Sequence, residues 1–200
     1  MKHKTDYSMK KTSDYMKGVY RYSKRFNTSY VDIIIDSYTE LFNEWDFSPY
    51  ANRDIDEDLY EYLEESAFEI DKRHEICIVF NIPKLLKNNK KEKESRIGFS
   101  NYFAYELRKE SNKKRAMVRK AAYYGVFGLI LLFIGTWANT MLETDDQYAY
   151  LTFLTEGLFI GGWVLFWELF SILFFELGAF SQRTRVLKRL KDAKIRYNYR

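Results

Sequence analysis

Few residues in this chain are of the kinds that do covalent or metal chemistry. His3, His74 and Cys77 are its only histidines and its only cysteine. His74 and Cys77 form a His-x-x-Cys pair. Zinc asks for four protein ligands, or three and a water, so with no second pair this spacing predicts no metal site. One cysteine also excludes an internal disulfide. The run Asp54, Asp56, Glu57 and Asp58 has the charge of a calcium loop but lacks the turn glycine and closing glutamate of an EF-hand. It reads instead as the solvated start of a helix. There is no glycine-rich phosphate loop, and two histidines leave no arguable Ser-His-Asp order. The sequence therefore predicts no catalytic residue, no metal and no cofactor, and the chain reads as a non-enzyme. The residue in the costliest place is Glu168. It stands inside a strongly apolar stretch, where an ionised carboxylate is expensive if that stretch lies in lipid.

Two segments must position it. Residues 121–142 hold no charged side chain, and residues 152–178 are strongly apolar apart from Glu156, Glu168 and Glu176. A helix rises 1.5 Å per residue, so about 20 apolar residues cross a bilayer core of roughly 30 Å. A helix of this length on a soluble protein would show a polar face. The pattern thus predicts two transmembrane helices joined by an outer loop at 143–150. Lys and Arg crowd both outer flanks, including Arg108, Lys113, Arg115 and Lys120 before the first span and Arg183, Arg185, Lys188 and Arg189 after the second. The loop holds none and carries Glu143, Asp145 and Asp146. The positive-inside rule then places both termini in the cytoplasm. Trp137 and Tyr148 fall at the outer interface, and Tyr123 and Tyr124 at the inner one. The basic runs are read as topology determinants and not as a nucleic-acid surface. The first 18 residues are basic without an apolar core, so no secretory signal is read there.

Within the spans, Gly128 and Gly135 share a face of the first helix. Gly157 and Gly161 make a small-xxx-small pair on the second, with Gly162 beside it. Such residues let helix backbones approach closely in lipid. They fit close packing within the hairpin; the sharper reading is a surface for oligomers. No cation lies in either span to pair with Glu168. It would stay protonated or face a water-containing space. Antiparallel counting puts it near Gly128, with the Tyr124 hydroxyl in reach. The same counting puts Glu156 near Asn139 and Thr140, while Glu176, close to the inner surface, can reach water or Arg183. Glu168 thus has two readings: a hydrogen-bonded structural carboxyl, or the lining of an ion path built by several copies.

The remainder predicts a small α+β domain. Residues 1–28 read as a disordered basic arm. Residues 30–38 have the β-branched content of a strand. Residues 54–70 give a helix with acids at its start and Leu59, Leu63, Phe68 and Ile70 as its apolar stripe. Residues 75–83, a nearly continuous apolar run closed by Pro83, predict a strand buried on both faces. Residues 84–95 read as a basic loop. A helix resumes at about Arg96 with Ile97, Tyr102, Phe103 and Leu107 on one side. The expected organisation is the arm, a domain with its connecting helix over 29–119, a hairpin over 120–180 and a basic tail over 181–200. The fold class is a membrane α-helical hairpin with a small N-terminal cytoplasmic α+β domain.

Two motifs carry a resemblance. Leu41, Phe42, Asn43, Asp46, Ser48, Pro49, Arg53 and Asp54 match an LFN-x-x-D-x-SPF…RD pattern. Glu156, Gly157, Leu158, Ile160, Gly162, Trp163, Val164 and Trp167 match EGL-x-I-x-GWV-x-x-W. Together they resemble a family of uncharacterised bacterial two-helix inner-membrane proteins, over roughly residues 30–190. The resemblance implies that membrane and topology, and no activity. The family continues after the tryptophan with Arg-Pro and a Glu three residues after the Arg. Here those positions hold Glu168, Leu169 and Ser171, so an Arg–Glu pair becomes a lone acid. The functional expectation is a membrane-anchored interaction protein that self-associates in the bilayer and binds a cytoplasmic protein partner. The alternative is an oligomeric channel or membrane-perturbing effector with the cytoplasmic domain as its gate.

Overall fold

A computed structural model describes residues 19–142 and 149–200 of the chain. Residues 1–18 of the expected arm and 143–148 of the expected loop, Tyr148 among them, lie outside the described residues. The chain forms two compact units, one of residues 19–108 with Thr184–Arg200, the other Lys109–Arg183.

In the first unit, β1 (Arg21–Ser23) and β2 (Thr28–Ile34) form an antiparallel hairpin. Its turn needs one residue in the left-handed region. Asn27 takes it at φ 46°, a conformation that asparagine tolerates. The Asn27 amide also donates to the carbonyl of Arg73 at 2.6 Å, which ties the turn to the start of the next strand. Helix α1 (Glu57–Glu69) begins at Asp56, whose carboxylate accepts from the amide of Leu59 at 3.1 Å. The carboxylate fills an orphan donor and meets the positive end of the helix dipole. Strand β3 (Glu75–Ile82) follows and stops at Pro83.

Helix α2 (Asn89–Leu142) is continuous over 54 residues. It starts earlier than the basic loop expected over 84–95 allows. Asn88 caps it by accepting from the amides of Lys90 and Lys91, both at 3.1 Å. Lys90 with Glu94, and Arg96 with Glu92, then support its first turns as i,i+4 pairs. Helix α3 (Ala149–Ser171) passes through a π-helical turn at Ile172–Glu176 into α4 (Leu177–Lys191), and the chain ends on β4 (Lys194–Tyr199).

The sheet order is β1-β2-β3-β4, with β2, β3 and β4 parallel. Val31 lies opposite Ile78, and Phe80 opposite Tyr197. Residues 181–200 are therefore not a tail. They supply the end of α4, whose Val186, Leu187 and Leu190 are buried, and an edge strand. The domain is not N-terminal alone; it is closed by the C-terminus. The arm also ends earlier than expected, since residues 21–28 already belong to the hairpin. The core joins Val31, Ile78 and Phe80 of the sheet to Leu63 of α1, Phe99 and Phe103 of α2, and Leu187 of α4. Two expected faces are corrected. Phe68 and Ile97 point outward, and Ala67 and Phe99 take the buried positions.

Gly98 is fixed by a close approach. A Cβ there would lie 2.5 Å from the Tyr50 carbonyl oxygen and 3.1 Å from the Phe42 ring. At the carboxyl ends of the parallel strands, Glu92 is buried and accepts from the hydroxyls of Tyr38 and Tyr199, with Arg96 3.5 Å away.

Candidate functional site

The second unit carries the residues singled out by the sequence. Two helices, Asn89–Met141 and Phe153–Lys191, are long and apolar enough to cross a membrane. In their most apolar stretches only 17% and 11% of residues are buried. The core helix of a soluble protein would be mostly covered, so these apolar faces need another solvent or partner.

The two helices meet through glycine. A Cβ on Gly162 would lie 2.8 Å from Cγ and Cδ2 of Leu132 and 3.2 Å from the Gly128 carbonyl oxygen. One on Gly128 would lie 3.1 Å from Cδ2 of Phe166 and 3.3 Å from the Gly162 carbonyl oxygen. Gly128 and Gly162 thus bring the two backbones together. Gly135 packs against Leu158 and Phe159, and Gly125, not singled out by the sequence, against Leu169. Gly161 stands at ordinary contact distance from Leu131. Around Gly157 there is nothing within 4 Å, so it lies outside this contact.

Glu168 is not between the helices. Phe166 and Leu169 face the first helix, and at 100° per residue position 168 turns away from that seam. Its side chain is exposed and makes no hydrogen bond or ion pair among the described residues. The expected bond from Tyr124 does not form. Glu168 lines an open groove of about 840 Å3 with Val164, Trp167, Phe170, Ser171 and Phe174. Trp167 and Phe174 are each 72% exposed, so the groove wall is itself uncovered. The π turn begins just beyond Ser171; such wide turns recur at functional positions.

Glu156 and Glu176 are also exposed and without partners among the described residues. Thr140, expected near Glu156, donates to the Thr136 carbonyl of its own helix. Arg183, expected near Glu176, instead lies 3.8 Å from Glu110, which is 1% exposed and accepts from Lys113 at 3.0 Å. Glu110 is the one acid between Lys109 and the collar lysines, and no periodicity or motif in the sequence marks it.

In the first unit His74 stacks on Tyr22 with ring centroids 4.3 Å apart, and its Nδ1 lies 3.1 Å from the Ser29 hydroxyl. Cys77 is buried, and that burial pushes its thiol pKa up. Among the described residues no three potential metal-binding His, Cys, Asp or Glu side chains come together.

No family model matches the chain, and no curated protein and no solved structure matches it. The resemblance to bacterial two-helix inner-membrane proteins rests on its two motifs.

Proposed function

We propose that this is a non-enzymatic integral protein of the bacterial inner membrane, anchored by a transmembrane hairpin with both termini cytoplasmic. In this reading it self-associates through the Glu168 groove and presents its sheet domain to a protein partner. The observation that carries it is the groove: a lone carboxyl with no partner on an uncovered aromatic face of a membrane-length helix. A buried polar group in hydrocarbon is costly until something hydrogen-bonds it, and a second copy of the same face can do so. The sheet supports the topology independently of the basic flanks. Strand β4 pairs with β3, yet both apolar helices lie between them in the chain. Segments of one sheet must be on one side of a membrane, so the number of crossings between them is even.

Light scattering of the detergent-solubilised protein tests self-association. The wild type should exceed the monomer mass of 24.1 kDa after correction for detergent. Glu168→Leu should dissociate it, while Glu168→Gln, which still hydrogen-bonds, should not. A monomeric wild type refutes this use of the groove. A reporter active only outside the cytoplasm, inserted at 145–146, should be active, and one at the C-terminus silent. The channel reading draws on the same carboxyl, which several copies could gather around a path. Intact assembly of Glu168→Gln with altered conductance in liposomes would favour it.

A further inference from the structure

The sheet unit carries a basic cleft of about 550 Å3 that no step of the membrane reading uses. It lies where the turn before β3 meets the end of α4 and the start of β4. Six cationic side chains line it against two carboxylates, Glu75 and Asp192. Asp71, which pairs with Arg73 beside the lining, leaves a local surplus of three positive charges.

Internal bonding uses up part of the set. All four Arg189 contacts are to backbone carbonyls of residues 67–74, so Arg189 builds the wall. Arg73 is held by Asp71 at 2.7 Å, and Lys194 by Glu75 at 2.9 Å. Lys72 and Lys188 have no partner among the described residues, and both are exposed to the cleft. Both line one concavity without an ion-pair partner, and a phosphate there would accept a charge-assisted hydrogen bond from each. Asp192 is likewise unpaired and is an acceptor for a hydroxyl of the same ligand. The volume is that of a small-molecule site.

We infer that this cleft binds a phosphate ester bearing a hydroxyl, with Lys72 and Lys188 on the phosphate and Asp192 on the hydroxyl. That chemistry occurs in soluble sugar and polyol phosphates and in the headgroup of phosphatidylglycerol. Binding of a soluble ester does not depend on the membrane reading; binding of the headgroup does.

The test uses the full chain in neutral detergent. Glycerol 3-phosphate is titrated by calorimetry. In parallel, lipid retention from vesicles of phosphatidylcholine with phosphatidylglycerol is read by native mass spectrometry. The wild type should bind at least one probe. Lys72→Ala/Lys188→Ala should weaken that binding by about tenfold or more, while the control Lys24→Ala/Lys93→Ala, equal in charge lost, should leave it unchanged. Calorimetric binding identifies a soluble ester, and retention without it identifies the lipid. Far-UV circular dichroism establishes that both double variants are folded. Absence of binding to either probe, or equal weakening by both double variants, overturns the site whether or not the helices span a membrane.

Discussion

Arg189→Met should destabilise the sheet unit by about 3 kcal/mol. Its Nη1 donates to the carbonyls of Ala67 and Ile70 at 2.5 and 3.0 Å, and its Nη2 to those of Asp71 and His74 at 2.9 and 3.1 Å. Ala67 lies in the last turn of α1 and Ile70 is its C-cap, where carbonyls have no partner within the helix. A hydrogen bond from a charged group contributes about 1.5–3 kcal/mol net when its acceptor is removed from water. The three part-buried bonds, to Ala67, Ile70 and His74, share one guanidinium and count below that range, at about 1 kcal/mol each. The Asp71 carbonyl is exposed, and water replaces its bond at little cost. Methionine keeps the aliphatic stem, so the loss isolates the head group. Lysine offers one compact ammonium in place of a planar fork and should recover about half. Hydrogen exchange at the Ile78, Val79 and Phe80 amides of the full chain in detergent reads this unit separately from the hairpin. Protection should fall by about two orders of magnitude in Arg189→Met. A fall of less than about threefold, or a lysine variant equal to wild type, would refute the reasoning.

The same assay reads Gly98→Ala. Its Cβ would lie 2.5 Å from a backbone oxygen, which cannot rotate away. Overpacking of about 1–3 kcal/mol should outweigh the gain of about 1 kcal/mol in helix propensity. Gly157→Ala, with nothing within 4 Å, should cost nothing. Alkaline pH should also unfold this unit. Burial pushes Tyr20 and Tyr197 up to about 12, and the hydrogen bond to Glu92 followed by burial does the same for Tyr199. The folded state holds these protons above the unfolded pKa of about 10, so stability is full below pH 10 and falls as pH rises towards 12. The last part of the tyrosinate absorbance to appear should then come together with loss of far-UV signal; completion of the whole absorbance change near pH 10 with the far-UV signal intact would contradict it.

What the sequence could show depended on how plainly a residue's role is local. Strand β3 was legible because it is flanked on both sides, so its apolar run is continuous up to Pro83. The apolar helices were legible because charge is absent over whole turns. Strand β4 was missed although KIRYNY alternates, with Ile195, Tyr197 and Tyr199 packed against the core. Its Lys194 and Arg196 also satisfy a topology rule, which masks the period-two pattern. The start of α2 was missed because a polar helix held by a cap and ion pairs has no apolar stripe to reveal it. The position of Glu168 was one helical step from the seam. Antiparallel counting fixes a level along the helix but not a direction around it. Glu92, Glu110 and the basic cleft join residues far apart in the chain, and no spacing rule connects them.

The closing of the sheet by β4 has a consequence for assembly. Both apolar helices are synthesised before residues 194–199 exist. Until then β3 has a neighbour on one side only, and its edge is a row of unpaired backbone groups on an apolar strand, a site for aggregation. On the proposed membrane reading the hairpin is available for insertion before the domain is complete, and β4, made last, closes the sheet. Deleting residues 193–200 isolates this step. Both apolar helices and the basic residues through Lys191 remain, so membrane insertion should be unchanged. The deletion removes six paired residues and the Tyr197 ring that stands 5.6 Å from Phe80. A domain of this size holds about 5–15 kcal/mol in total, and an open side on its central strand should consume most of it. The Ile78, Val79 and Phe80 amides should then exchange near unprotected rates, and trypsin should cut at Lys72 and Arg73 in membranes where the full chain resists. Protection equal to the full chain would mean that three strands suffice, and that β4 decorates a sheet already stable without it.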